Sequence, residues 1–118
     1  MAMQELELLR AACCIAGVDG EINEPEKAVL GALAKRVGVG AASLRAMMEL
    51  ATTDAKFRDD QIGLVHSDPR RSFETLYRMA RVDPDVGEAQ RSLLTRFGRR
   101  LGLSVEEMNE VITRAHAR

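Results

Sequence analysis

The chain reads as all-α, a single compact bundle of six to seven short helices. Three observations predict it. Apolar residues recur at steps of three and four along nearly the whole length, and the period-two alternation of strands is almost absent. Helix start signals stand at Asn23-Glu24-Pro25-Glu26, Asp68-Pro69 and Ser104-Val105-Glu106-Glu107, and stop glycines at Gly38 and Gly102. The 118 residues are 46% hydrophobic and 30% charged, the composition of one ordinary globular domain. A chain of that length buries roughly two-thirds of its unfolded surface without a disulfide or metal.

Each element has its own warrant. Over residues 3–18, Leu6, Leu9, Cys13 and Ala16 step by three and four, and Leu8, Ala12 and Ile15 widen the stripe. A turn follows at Val18-Asp19-Gly20. Asn23 then caps the second helix, Pro25 fits its first turn, and Glu26 stands three after the cap. Val29, Leu30, Leu33 and Val37 give its expected buried face, and Gly38 or Gly40 ends it. Leu44, Met47, Met48 and Ala51 mark a third helix. Between Thr52 and Ser67 the signal is weak and gives one short helix around residues 56–63, then loop. Asp68-Pro69 restarts the chain, with Phe73, Leu76, Tyr77 and Ala80 as the apolar face. After the turn Val82-Asp83-Pro84-Asp85 come Leu93, Leu94, Phe97 and Leu101. Ser104 and Glu107 form a capping box for the last helix, which should bury Val105, Met108, Val111, Ile112 and Ala115.

Composition removes several function classes. Lys and Arg number 17 against 18 Asp and Glu, a net charge of −1, so no field draws a phosphate backbone. There is no Trp, one Tyr and three Phe, too few for base-stacking platforms. No uncharged run approaches the ~20 residues of a membrane span, and MAMQELELLR has acids where a signal peptide has a basic start. A cytoplasmic location is expected. Cys13 and Cys14 are adjacent, a spacing for neither a disulfide framework nor a zinc site. On a helix they diverge by about 100°, so at most one should face fully inward.

The two halves align without a gap at an offset of 64, over about residues 3–51 and 67–115. Asp19 falls on Asp83, Glu24 on Glu88, Leu30 on Leu94, Arg36 on Arg100 and Gly38 on Gly102. Amphipathicity alone would align hydrophobes in many registers, but not turn acids and stop glycines together. The pattern predicts an internal duplication, two pseudo-equivalent three-helix units sharing one core.

The paired acidic turns are the candidate site: Asp19, Glu21, Glu24 and Glu26 in the first, Asp83, Asp85 and Glu88 in the second. Ca²⁺ or Mg²⁺ needs several oxygens converging from such loops. Asp19-Gly20-Glu21-Ile22-Asn23 starts like an EF-hand, but Glu24 stands at the glycine position and Leu30 at the bidentate glutamate. The second turn has Leu94 there. Neither is an EF-hand. A plainer reading is helix capping: Glu26 reaches back to the Asn23 amide, Asp85 serves likewise, and acids at a helix start gain roughly 0.3–1 kcal/mol. A metal site then needs the pseudo-symmetry to bring both turns together.

Other signals are weaker. Gly38-Val39-Gly40 ends a helix with no strand before it, so it is no dinucleotide fingerprint. His66 and His116 lack partners at ligand spacing and read as surface residues. No nucleophile–base motif is present, and the chain is read as no enzyme. Arg70-Arg71 and Arg99-Arg100 read as solvated faces. Met47 and Met48 read as core, or as the lining of a partner groove.

The string from Ala16 to Lys27, AGVDGEINEPEK, followed by Leu30, Leu33 and Val37-Gly38-Val39, resembles the TerB-like family. That family is named for tellurite resistance, and related domains precede DnaJ-type co-chaperone modules. Its signature is an Asp-Gly turn, a hydrophobe two residues after the Gly and a glutamate seven after the Asp, echoed in the second half. The resemblance spans the chain. It implies a cytoplasmic bundle of about seven helices, a divalent-metal role for the turn acids, and a setting in stress response or larger assemblies. By the motif match Asp19 and Glu26 would be ligands in the first half and Asp83 in the second. Pro84 replaces the signature Gly, Gln90 replaces the second glutamate, and Glu88, two positions earlier, would stand in. That substitution lowers the charge of the site.

The expectation is therefore a non-enzymatic module that binds a divalent cation, Ca²⁺, Mg²⁺ or another, through Asp19, Glu26, Asp83 and Glu88. The alternative is a metal-free scaffold, monomer or homodimer, that holds a protein partner in a helical groove.

Overall fold

Helix α1 (Met3–Gly17) runs through the middle of the bundle, and the other helices are laid around it. The computed structural model describes residues 3–62, 68–82 and 87–116, with side chains from residue 5 onward. Among these residues α1 is followed by α2 (Glu24–Val37), α3 (Ala41–Thr53), α4 (Ala55–Ile62), α5 (Pro69–Arg81), α6 (Glu88–Arg100) and α7 (Val105–His116). The protein is an all-α bundle, and none of these helices is long and apolar enough to cross a membrane.

Leu9 and every residue from Ala11 to Ala16 are fully buried, because α2, α3, α4, α5 and α6 all pack on α1. A helix enclosed on every side shows no polar face. This corrects the reading of the cysteines: Cys13 and Cys14 are both buried, though they diverge around the helix. Alanine and cysteine keep α1 thin, so its neighbours approach closely. At Gly17 a Cβ would lie 3.0 Å from Thr52 Cγ2 and 3.1 Å from the Ala51 carbonyl carbon. Only glycine lets α1 and α3 meet there.

The local signals form the elements expected of them. Asn23 Oδ1 accepts from Glu26 N at 2.9 Å, and Glu26 Oε1 accepts from Asn23 N at 3.0 Å, a complete capping box. Ser104 and Glu107 repeat it before α7, at 3.0 and 3.1 Å. Asp68 accepts from Arg71 N and Pro69 opens α5. The weak middle stretch holds α4, capped by Asp54, whose Oδ1 accepts from Phe57 N. Gly38 (φ 80°) ends α2 in the left-handed region, and Val39 N returns to Ala34 O at 2.9 Å. Gly102 (φ 91°) does the same after α6, with Leu103 N returning to Gly98 O at 3.0 Å.

The two halves are thus in one register. The starts of α2 and α6 are 64 residues apart, as are those of α3 and α7 and the ends of α1 and α5. Helix α5 is the second centre, packing on α1, α6 and α7. Two expected core residues lie outside the core. Val29 is 40% exposed, because α2 packs chiefly on α1 and α3 and buries one narrow stripe, Glu26, Leu30, Ala34 and Val37. Val105, in the first turn of α7, is 55% exposed. Met47 and Met48 are half-buried against the core, and Ala115 is half-buried.

Candidate functional site

The acids of the first turn divide by environment. Asp19 is exposed, and its Oδ1 accepts from Glu21 N at 3.2 Å, which tightens the turn locally. Glu21 is also exposed, and Glu24 pairs at 3.3 Å with Lys27. Glu26 is 2% exposed. Its Oε1 closes the capping box, and its Oε2 accepts from Gln90 Nε2 at 3.2 Å.

That last contact joins positions 64 apart, the same position in each half. Gln90 is 1% exposed, and its amide faces the Glu26 carboxylate inside the bundle. Two carboxylates at this distance in a buried site would have to share a proton. An amide N–H donates instead, so Gln90 complements Glu26 without a cation. A cation on Glu26 would compete with both of these hydrogen bonds.

Glu88 is exposed in the first turn of α6, whose N-cap, Gly87, makes no side-chain capping bond. Asp83, Pro84 and Asp85 lie outside the described residues, as does His66. Among the described residues no group of three or more His, Cys, Asp or Glu is placed to hold a metal ion. Burial pushes the Cys13 thiol up to about 12; it does the same for Cys14, helped by Cys13 and opposed by Arg58. Neither supplies a thiolate near neutral pH.

A different feature lies among the last three helices. Helices α5, α6 and α7 line a groove of about 580 Å³. Phe73, Leu94 and Met108 are its buried floor, Ile112 is half-buried, Val105 stands exposed at its edge, and among the described residues no Asp or Glu is in the lining. At the C-terminal end of α5 the surface becomes polar. Tyr77 Oη lies 2.6 Å from His116 Nε2, and Arg81 Nη1 lies 2.7 Å from His116 Nδ1 and donates to Tyr77 Oη at 3.3 Å. Arg91, one turn into α6, also lines the groove.

Comparison with protein-family models, with curated proteins and with solved structures returns no match.

At the sequence offset of 64, α5 and α7 carry larger residues where α1 and α3 meet closely. Gly17 in α1 meets Thr52 of α3 directly. The corresponding residues are Arg81 and His116, whose side chains stand between α5 and α7. Tyr77 likewise occupies the position of Cys13. Sequence reasoning placed Tyr77 on the core face and His116 on the surface, and it did not join them. The signal that could have done so is the departure from the repeat: two large polar-tipped residues in α5 where α1 has small ones.

Proposed function

We propose that this chain is a non-enzymatic, TerB-like binding module whose working surface is the groove between α5, α6 and α7, and that it needs no metal. The observation that carries this is the groove itself, apolar towards Val105 and Ile112, free of acids among the described residues of its lining, and bordered at its polar end by the Arg81–His116 contact. Its volume falls within the range of small-molecule and partner-binding clefts. The shared register of the halves and the Glu26–Gln90 contact support descent from a duplicated unit. Nile red, neutral and apolar, tests the surface. Its fluorescence should rise with the folded protein, and the rise should fall several-fold in Val105→Glu. That substitution puts a charge at the groove edge, and an acid there suits the first turn of α7. No rise with wild-type protein would sink the reading.

A second reading keeps a divalent cation at the acidic turns. It is favoured by Asp19 and Glu88, which stand in solvent at corresponding helix entries. Asp83 would join them, and Glu26 would drop out. Amide NMR spectra during Ca²⁺, Mg²⁺, Mn²⁺ and Zn²⁺ titrations decide it. Saturable shifts at both turns that vanish in Asp19→Asn/Asp83→Asn support the site, and diffuse drift rejects it. A cytoplasmic setting and a role in stress response follow the TerB-like resemblance and belong to the same proposal.

A further inference from the structure

The groove has two chemically different ends. At one, Phe73 and Met108 crowd against Gly98, where a Cβ would lie 3.0 Å from Phe73 Cε1, and Val105 borders the space. At the other, Arg81 closes α5 and His116 closes α7, with Tyr77 between them. Arg91, on α6, lines the same groove. Neither Arg81 nor Arg91 pairs with a carboxylate among the described residues, whereas Arg70, Arg78 and Arg96 do.

Arg81 spends Nη1 on Tyr77 and His116, and a guanidinium carries further N–H donors. Those donors border the apolar part of the lining, and a hydrogen bond from a guanidinium to a carboxylate is charge-assisted. They are gathered at one point. A docked amphipathic helix would instead call for anchors spaced along the groove.

We propose that the groove binds a small amphiphilic carboxylate, with its apolar body against Ile112 and Val105, above the buried floor of Phe73, Leu94 and Met108, and its head at Arg81. This rests on the groove being the working surface. The carboxylate is the head the geometry suits, because a planar guanidinium takes two carboxylate oxygens in parallel.

The test is amide NMR on the full chain with octanoate, 1-octanol and octylammonium at equal concentrations. Octanoate should give saturable shifts at Tyr77, Arg81, Ile112 and His116. 1-Octanol should bind about tenfold more weakly, the worth of one charged contact, and octylammonium more weakly still. Arg81→Gln should weaken octanoate about tenfold and leave 1-octanol unchanged, while Arg81→Lys keeps part of the affinity. Arg81 is exposed, and the spectrum of each variant reports whether it folds. Equal binding of octanoate and 1-octanol, or an octanoate affinity indifferent to Arg81→Gln, overturns the carboxylate assignment and leaves the groove reading standing. If no amphiphile shifts the groove residues, both fall.

Discussion

Glu26 shows how one side chain can be read two ways from the same neighbours. Its place, seven after Asp19 and three after Asn23, suits a ligand by resemblance and a cap by local chemistry. The cap is what forms, and the remaining oxygen meets Gln90. Gln90→Glu tests how much the amide matters. Two buried carboxylates would then face each other, and breaking such complementarity costs about 3–5 kcal/mol. The loss should be large at pH 8, where both would ionise. It should shrink towards pH 5 as the pair takes up a proton. Urea unfolding at the two pH values measures it, and an equal loss at both would mean that charge is not the cause.

Among the elements, the helix ends were the most legible in the sequence, because caps depend on neighbours within four residues. Asn23, Asp68, Ser104, Gly38 and Gly102 all act where their local chemistry places them. The faces were less legible. Val29 and Val105 fit the helical period, but burial depends on which helix lies opposite, and among the described residues the cover over them is partial. Cys13 and Cys14 failed the other way, since a helix wrapped by five others has no outside. The groove was hidden because its polar end joins Tyr77 to His116, 39 residues on. Glycines give a matched test of helix contacts. Gly17→Ala forces a methyl onto the Ala51 backbone and should destabilise by about 1–3 kcal/mol. Gly31→Ala, inside α2 with open space around it, should stabilise by about 0.5–1 kcal/mol. Thermal unfolding of the pair checks the contrast, and a Gly17→Ala protein as stable as wild type would refute the close α1–α3 contact.

For the molecule as a whole, the enclosed thiols couple stability to alkaline pH. Each stays protonated in the folded chain up to about 12, against 9.0 for the free group. Folding therefore keeps protons that the unfolded chain releases. The stability is fully present below pH 9 and declines from there towards pH 12, by on the order of 2 kcal/mol per thiol at pH 10.5. Cys13→Ala/Cys14→Ala should be less stable at pH 7, from lost packing, yet show a flatter decline. Parallel declines in both proteins would assign the alkaline loss elsewhere.

The central position of α1 also sets a timetable for synthesis. Helix α1 is translated before all of its walls, and α5 and α6 are the latest of the helices that close around it. At ribosomal speeds of about 5–20 residues per second, roughly 4–17 s separate the end of α1 from the end of α6. During that interval Leu9 to Ala16 have only part of their eventual shelter, whatever α2, α3 and α4 provide. The nascent chain is therefore a candidate for holding by factors that bind apolar segments, and the exposure of α1 is greatest before α5 and α6 have emerged.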